Sequence, residues 1–357
     1  MAVSTIDPNG LNIGQIGGTR NKIINGAMTI DQRNAGAAVT QNTSGIYTLD
    51  RWQAYGAAAS KFTVQRNAGS VTPPNGFTNY LGCTSSSAYT VGASEAFTVS
   101  QIVEGFNIAD LNWGTASAQP VTISFWARSS LTGTFGGALQ NIAQNRNYPF
   151  SYTISAANTW EKKAVTILGD TTGTWATDNT SGIRVYFSLG AGSSWSATAG
   201  AWTSSFALSA TGAVSVVGTS GATFYLTGVQ LEAGDTATPF EHRSYGAELA
   251  LCQRYYQRVG STFFGSVEGA TAFVFQVPFL MPMRAPATIT VVSGGIFNAR
   301  YAGNDTNITN PTIANVTSTA ENVWLQVVSS GLSNGASIIG RSQNYPTSNF
   351  LNVSAEL

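Results

Sequence analysis

The residue types that carry out most enzyme chemistry are scarce in this chain, and their spacing matches no catalytic motif. The single histidine, His242, lies between Glu241 and Arg243, and a lone histidine is more often structural than catalytic. No Cys/His group has metal-ligand spacing, and no phosphate-binding loop or Gly-x-Ser-x-Gly nucleophile motif occurs. We therefore expect a non-enzymatic protein with no metal and no cofactor, although its seventeen acidic residues leave a glycosidase-type carboxylate pair open.

Several acidic residues lie close to arginines in the sequence. Asp50 precedes Arg51, and Glu241 lies two residues before Arg243, while Glu232 ends an apolar segment. One interpretation is a cation or ligand site. We favour the other, in which these groups form ion pairs that tie the first and last strands together, because charges near a core must be paired. In particular, Arg51 is expected to pair with Glu232 or Glu241.

Aromatic residues give a better case for ligand binding than acidic residues do. The chain has eight tryptophans and thirteen tyrosines but only 10% charged residues. Flat rings stack on sugar faces while polar neighbours hydrogen-bond the hydroxyl groups. Trp126 and Arg128 share one strand face, and Arg184 and Tyr186 share another, so all four form a glycan-binding groove if these faces coincide. The alternative is that Trp126 packs under a loop. Three tryptophans in polar loops are either loop anchors or exposed platforms: Trp175, Trp195 and Trp202.

Alternating apolar residues predict β-strands through most of the chain. In Val121–Arg128 and Ile183–Leu189, every second residue is apolar and is expected to point into a core. The same alternation occurs in Phe150–Ile154. It is also expected in Tyr225–Leu231, where the odd-numbered residues would share one face. Many short strands separated by Gly- and Ser-rich turns predict a β-sandwich or barrel over residues 21–243.

One short helix is predicted at Ser244–Arg258, within a connector of residues 244–259. Ser244 is a suitable N-cap, and Glu248 has the right charge for the first turn. Apolar residues recur at spacings of three and four, beside a second apolar stripe. Because one stripe would need an external partner, we expect the chain to form a homo-oligomer. The interface candidates are Leu249, Cys252, Tyr255, Tyr256 and Val259.

Residues 260–357 are predicted to form a second, smaller C-terminal β-sandwich domain. Phe273–Val277 alternates, and Thr288–Val292 and Val323–Val328 are predicted to be further strands. Residues 1–20 are rich in Gly and Asn and are expected to form an N-terminal attachment arm. The two cysteines, Cys83 and Cys252, lie far apart in the sequence and are expected to be buried thiols without a disulfide.

The charge balance and the missing targeting signals narrow the classes of function. Seventeen basic and seventeen acidic residues cancel, so nothing indicates nucleic-acid binding. No apolar segment approaches the ~20 residues of a membrane-spanning helix. The first ten residues lack the basic start and apolar stretch of a signal peptide. A protein made in a host cytoplasm, assembled there and released by lysis is consistent with this composition.

Five segments together resemble a domain that is widespread in bacteriophage tail-fibre and virion-spike proteins. They cover about 240 residues in the expected order: Asn21–Met28, Tyr47–Trp52, Val121–Arg128, Leu226–Gly234 and Glu248–Gln257. The resemblance implies a jelly roll similar to carbohydrate-binding modules, next to a C-terminal β domain, and it supplies no catalytic residues.

The same resemblance implies a structural fibre or spike subunit of the virion. Such a subunit would contact host-surface glycans and would join other virion proteins through its N-terminal arm. The resemblance further implies that three subunits associate rather than two, so the expected oligomer is a homotrimer. The alternatives are a polysaccharide-degrading, tailspike-type enzyme and a secreted carbohydrate-binding module, and the missing export signal argues against the latter.

Overall fold

The computed structural model describes residues 20–260, 262–268, 272–292, 296–301, 304–309, 313–319, 322–328, 337–342 and 351–357. The chain divides into two compact units, Met1–Arg243 and Ser244–Leu357. The expected attachment arm lies outside the described residues, apart from Arg20. Among the described residues, no helix has both the length and the apolar character needed to cross a membrane.

From residue 20 onward, the first unit is built from fourteen strands and a few 3₁₀ turns. The strands are β1 Val39–Thr40, β2 Ile46–Tyr47, β3 Gln53–Gly56, β4 Phe62–Arg66, β5 Leu81–Ser85, β6 Ala96–Glu104, β7 Val121–Ser129, β8 Gly133–Gln140, β9 Asn147–Ile154, β10 Glu161–Ile167, β11 Ser181–Ala191, β12 Ser196–Ala197, β13 Ser209–Ala210 and β14 Thr223–Ala233. The 3₁₀ turns are Ala68–Ser70, Gly105–Asn107, Ala109–Leu111 and Ser193–Trp195.

Twelve of these strands form two six-stranded antiparallel sheets. Sheet A has the order β1-β4-β5-β14-β7-β10, and sheet B has the order β2-β3-β6-β11-β8-β9. The chain crosses between the sheets repeatedly, so several neighbouring strands, such as β5 and β14, are distant in the sequence. Strands β12 and β13 form a separate parallel pair. The predicted all-β jelly roll is confirmed.

The core lies between the two sheets and follows the alternation seen in the sequence. In β11, Ile183, Val185, Phe187 and Leu189 are fully buried. Their counterparts on β7 include Phe125, whose ring meets that of Phe187 at 5.0 Å and 81°. Such edge-to-face pairs add specific geometry to the apolar burial that stabilises the sandwich.

The alternation predicted for β14 is wrong in its first half, because a bulge changes the phase of the strand. The pairing of β14 with β7 shifts between Thr227 and Gln230, and Gly228 has a φ of 61°. An extra residue in a strand reverses which side chains face the core beyond it. Phe224 and Leu226 therefore point inward before the bulge, whereas Tyr225 joins a separate buried cluster.

The predicted pairing of Arg51 with Glu232 or Glu241 is wrong. Arg51 is buried and donates a hydrogen bond to the carbonyl of Ile102 in β6, an inner strand of sheet B. Glu232 instead lies 3.5 Å from Nε of Arg20 and accepts hydrogen bonds from the backbone N–H and the hydroxyl of Thr238, six residues further along the chain. Glu232 is thus satisfied by Arg20 and Thr238, and Arg51 is engaged elsewhere.

The two ends of the first unit are nevertheless joined by Glu241 and Arg243, mainly through hydrogen bonds to backbone groups. Glu241 accepts hydrogen bonds from the backbone N–H of Arg20 and of Asn21, and it lies 3.4 Å from Arg243. Arg243 also donates to the carbonyl groups of Asn21 and Ile23. Asp50 has a separate role, since it accepts two hydrogen bonds from Gln32.

The described residues of the second unit form one helix and ten strands. They are α1 Tyr245–Gln253, β15 Tyr256–Val259, β16 Thr262–Glu268, β17 Ala272–Pro278, β18 Thr288–Val291, β19 Ile296–Tyr301, β20 Asn304–Thr309, β21 Ile313–Ser318, β22 Asn322–Val328, β23 Ser337–Ser342 and β24 Leu351–Ser354. A three-stranded sheet has the order β15-β24-β18, and a seven-stranded sheet has the order β20-β19-β23-β16-β17-β22-β21. The strands predicted at 273–277, 288–292 and 323–328 are therefore present, within one residue at each end.

The helix is shorter than predicted. Ser244 is the N-cap, as expected, and its side chain accepts a hydrogen bond from the N–H of Ala247. The helix ends at Gln253, after which Tyr256 and Val259 belong to a strand that pairs with β24. The apolar spacing of three and four suggested a longer helix. Strand pairing with β24 holds this segment extended instead.

The proposed oligomer-interface residues are mostly buried within the chain itself. Cys252 and Tyr255 are fully buried, and Tyr256 and Val259 are nearly so, whereas Leu249 is half-buried. The Tyr256 hydroxyl also donates to the side chain of Asn352. Four of the five side chains are thus occupied by contacts within one subunit.

Both cysteines are thiols, as predicted from their separation in the sequence. Cys83 lies in β5 of the first unit and Cys252 lies in α1 of the second, and neither forms a disulfide. Each is fully buried. Burial raises the pKa of the Cys83 thiol, since the surrounding core disfavours the thiolate.

Candidate functional site

The four residues predicted to form one groove lie on different sheets. Trp126 and Arg128 are on β7 in sheet A, while Arg184 and Tyr186 are on β11 in sheet B. All four alternate with core residues, so each pair lies on the outer face of its own sheet. The sandwich core separates the two faces, and the predicted single groove does not form.

On sheet A, Trp126 and Arg128 are engaged in contacts within the protein. The guanidinium of Arg128 lies over the ring of Tyr225 at 5.3 Å and donates to the carbonyl of Asn158. Trp126 packs close to Gly228 and the loop residue Phe77, because a Cβ at Gly228 would lie 3.1 Å from the indole and 2.6 Å from the phenyl ring. This arrangement matches the alternative interpretation, in which Trp126 packs under a loop.

On sheet B, Arg184 and Tyr186 line a cavity of about 520 Å³. Strands β3, β6 and β11 form its floor, and the register places Gln53 opposite Ser100 and Ser100 opposite Tyr186. The next row brings Tyr55 opposite Thr98. The residues that line the cavity are Ser44, Gly45, Gln53, Tyr55, Thr98, Ser100, Gln144, Arg184, Tyr186, Trp195, Phe206 and Leu208.

One wall of the cavity is a segment of residues 193–213 that folds over the outer face of sheet B. A Cβ at Gly136 of β8 would lie 2.3 Å from the hydroxyl of Ser209, so this segment lies directly on the strand. Within the segment, the N–H of Leu208 bonds the carbonyl of Trp195, and the rings of Trp195 and Phe206 meet edge to face at 5.2 Å. The segment therefore holds two aromatic rings at the cavity.

Polar side chains of the floor differ in how well they are satisfied. The Tyr186 hydroxyl bonds the side-chain oxygen of Gln140, and Arg184 Nε donates weakly to Ser181 at 3.4 Å. The hydroxyl of Thr98 is fully buried and has no hydrogen-bond partner among the described residues. A buried polar group without a partner is costly and uncommon, so this hydroxyl marks a position where a ligand could supply the missing bond.

Electrostatics inside the cavity favour a neutral phenol. Burial raises the pKa of Tyr186, and this effect outweighs the opposing influence of the nearby Arg184 charge. The Tyr186 hydroxyl is therefore protonated at neutral pH and can donate as well as accept hydrogen bonds. With its uncharged amides and hydroxyls, the floor is suited to hydrogen-bonding a polyhydroxylated ligand.

Several cavity residues were not selected from the sequence, although their strands carry a signal. In β6 the core residues Phe97, Val99 and Val103 occupy odd positions, so Thr98 and Ser100 must face outward. Trp195 carried no such signal, because its position depends on how its loop folds back over the sheet.

The other loop tryptophans anchor structure at a different place. Trp113, Trp175 and Trp202 contact one another edge to face at 4.6 to 5.4 Å. Beside them, Arg146 forms a two-point ion pair with Asp170 at 2.6 and 2.7 Å. Although burial raises the pKa of Asp170, the hydrogen bonds from Arg146 and Thr172 bring it below its ordinary value. Trp175 and Trp202 are thus loop anchors.

No group of three or more His, Cys, Asp or Glu side chains is placed to hold a metal ion in the part of the chain that the structure describes. The carboxylates discussed above are paired in separate places, and none lines the cavity. The arrangement can therefore stack and hydrogen-bond a ligand through its aromatic and polar groups.

Comparison with protein-family models and with curated protein sequences gave no match. Solved structures match part of the chain at low similarity. The enzymatically active domain of tailspike protein 4 of bacteriophage CBA120 is 13% identical, with a TM-score of 0.32, over 60% of this chain and 22% of that one. The chain thus spans about a fifth of the tailspike chain it matches.

Two carbohydrate-binding modules match over their full length. The module TmCBM61, solved in complex with β-1,4-galactotriose, is 12% identical over 60% of this chain and 100% of its own, with a TM-score of 0.31. The family 11 module from Clostridium thermocellum is 13% identical over 58% of this chain and 100% of its own, with a TM-score of 0.28. At such TM-scores, the description of the fold rests on the sheet topology and strand register of this chain.

Proposed function

We propose that this protein is a structural subunit of a bacteriophage virion, a fibre or spike protein whose jelly roll binds host-surface glycans in the cavity on sheet B. The observation that carries the binding proposal is the cavity lining. It combines the rings of Tyr55, Tyr186, Trp195 and Phe206 with uncharged amide and hydroxyl groups.

This lining suits a sugar better than an apolar ligand. Aromatic rings at the wall offer flat apolar faces, and pyranose rings present flat C–H faces to such surfaces. At the same time, Gln53, Ser100 and Thr98 offer hydrogen bonds to hydroxyl groups from the floor. A site of this kind binds weakly by itself, so several copies on one particle would be needed for strong attachment.

We propose binding without hydrolysis. Glycoside hydrolysis normally uses two carboxyl groups on either side of the scissile bond. The described residues that line the cavity include no Asp or Glu. Incubation with bound polysaccharide should therefore release no new reducing ends, and their appearance would favour the tailspike-type enzyme instead.

The virion role rests on the set of sequence motifs that resemble phage fibre and spike proteins. We propose that the protein is found in the assembled particle, attached to other virion proteins through residues 1–20, and that it is a homotrimer. Three large exposed apolar side chains of the second unit support self-association, namely Tyr245, Phe264 and Leu280. Mass spectrometry of purified virions and light scattering of the isolated protein test these two points.

The binding proposal is tested by removing one aromatic wall of the cavity. In a glycan-array or calorimetric measurement, Trp195→Ala should weaken sugar binding about tenfold or more, since stacking and ring burial contribute on the order of 1–2 kcal/mol. Trp126→Ala is the matched control, because it removes a tryptophan from the outer face of the other sheet. Equal binding by both variants and the unchanged protein would place the sugar elsewhere.

A further inference from the structure

The cavity on sheet B contains one charged side chain among its described lining residues, and that side chain is Arg184. It lies on the floor, where the register places it between Ile102 of β6 and Gln140 of β8. The rest of the lining is uncharged. The described lining thus carries one positive charge and no carboxylate.

Among the residues that the structure describes, Arg184 forms no ion pair, whereas most other arginines of the same unit do. Four others lie within 4 Å of a carboxylate: Arg20, Arg66, Arg146 and Arg243. The guanidinium of Arg184 has one weak hydrogen bond to Ser181 and a second polar contact, with the neutral Tyr186 hydroxyl. A half-buried guanidinium with unused donors is poised for an anion from outside the chain.

We infer that the cavity selects an acidic saccharide, in which a sugar carboxylate binds Arg184 while a neighbouring ring stacks on the aromatic wall. This inference rests on the proposed glycan binding and adds the class of sugar. A guanidinium matches a carboxylate through two parallel N–H···O bonds, and a half-buried site strengthens such bonds relative to bulk water. No carboxylate of the lining would repel the ligand.

The floor also indicates a ligand longer than one acidic sugar ring. Ser188 lies four residues from Arg184 along β11, about 13 Å at ~3.3 Å per residue, and Thr98 lies opposite Ser188. The buried, unpartnered hydroxyl of Thr98 is therefore at the other end of the floor from the guanidinium. A ligand that satisfies both groups is an oligosaccharide with an acidic residue toward the Arg184 end.

The test uses bacterial surface polysaccharides, each presented in two forms. One form keeps its carboxylates, and in the other they are reduced chemically to hydroxymethyl groups, so that the two differ only in charge. The full-length protein is expected to bind the acidic form of at least one polysaccharide about tenfold or more tightly, as one to two charge-assisted hydrogen bonds allow. This preference should diminish at high salt.

Variants identify the cation responsible. Arg184→Gln should lower binding of the acidic form to about that of the reduced form, which removes the preference, and Arg184→Lys should restore part of the preference. Arg128→Gln is the control, because Arg128 lies on sheet A against Tyr225.

Each outcome has a distinct meaning. Equal binding of acidic and reduced forms would overturn the inference and leave the proposed glycan binding in place. An acidic preference that survives Arg184→Gln would overturn the assignment to this cavity. Failure to bind any polysaccharide in either form would overturn the proposed function and the inference together.

Discussion

Two buried threonines differ in whether their hydroxyl groups have a hydrogen-bond partner. Thr98 and Thr122 are both buried on the outer faces of their strands. The hydroxyl of Thr122 donates to the carbonyl of Gly234 at 2.9 Å, whereas the hydroxyl of Thr98 has no partner among the described residues. The two positions therefore form a matched pair in which the same chemical change should have opposite effects on stability.

Thr98→Val is expected to leave the free energy of unfolding unchanged or to raise it by about 1 kcal/mol, because valine keeps the shape and removes an unsatisfied polar group. Thr122→Val should lower it by about 1 kcal/mol, because the carbonyl of Gly234 loses its donor. Denaturant unfolding measures both values. Sugar binding should fall for Thr98→Val alone. A Thr98 variant destabilised as much as the Thr122 variant would show that the hydroxyl already has a partner in the empty cavity.

The sequence predicted which way the four candidate side chains face better than it predicted which of them line the cavity. Alternation in β7 and β11 correctly indicated that Trp126, Arg128, Arg184 and Tyr186 face outward. It could not indicate which sheet each strand joins, because that depends on pairing between segments far apart in the chain. The predicted groove therefore combined residues from two opposite faces, and only Arg184 and Tyr186 line the cavity.

At the scale of elements, the first sequence motif has a clear structural task. The side-chain amide of Asn25 donates hydrogen bonds to the carbonyls of Ile30 and Asp50, and its oxygen accepts one from the N–H of Ile30. Its neighbour Gly26 passes so close to β14 that a Cβ would lie 2.1 Å from the carbonyl oxygen of Val229. The N–H of Val229 bonds the carbonyl of Gly26 in return. This motif attaches the start of the unit to its last strand, next to the bulge.

Gly26→Ala should consequently destabilise the jelly roll by about 2–4 kcal/mol, since the new methyl group meets a backbone atom that cannot rotate away. Thermal unfolding would measure the effect. Gly212→Ala serves as a control for the loss of a glycine, because nothing lies within 4 Å of a Cβ there, although its φ of 77° adds local strain. If Gly26→Ala melts no lower than this control, the close contact is easily relieved.

Element boundaries show where local sequence loses its predictive value. The helix start at Ser244 follows from a capping side chain and was predicted. The helix end was not predicted, because pairing of Tyr256–Val259 with Leu351–Ser354 joins segments almost one hundred residues apart. The bulge in β14 was not predicted either. At Gly228, which has a positive φ, the bulge reverses which of the following side chains face the core.

At the scale of the whole molecule, the division at Arg243 predicts two units that fold separately. A fragment of residues 20–243 keeps both six-stranded sheets and the contacts of Glu241 and Arg243 with the start of the chain. It should unfold cooperatively in calorimetry, as small domains with one core do.

The matched fragment, residues 20–235, keeps every strand of the two sheets but lacks Glu241 and Arg243. It should melt at a lower temperature, because Asn21 loses its partners at the end of the unit. If the longer fragment fails to fold while the full chain folds, then the first unit depends on residues beyond Arg243.

The two buried thiols can report how often each unit opens to solvent. Because one thiol is buried inside each unit, a thiol reagent added to the native protein can react with it only when that unit opens. Two labelling rates, resolved by mass after digestion, would give the opening free energy of each unit from one sample without any engineered probe. Labelling carried out with and without sugar would then show whether ligand binding slows the exposure of Cys83 alone.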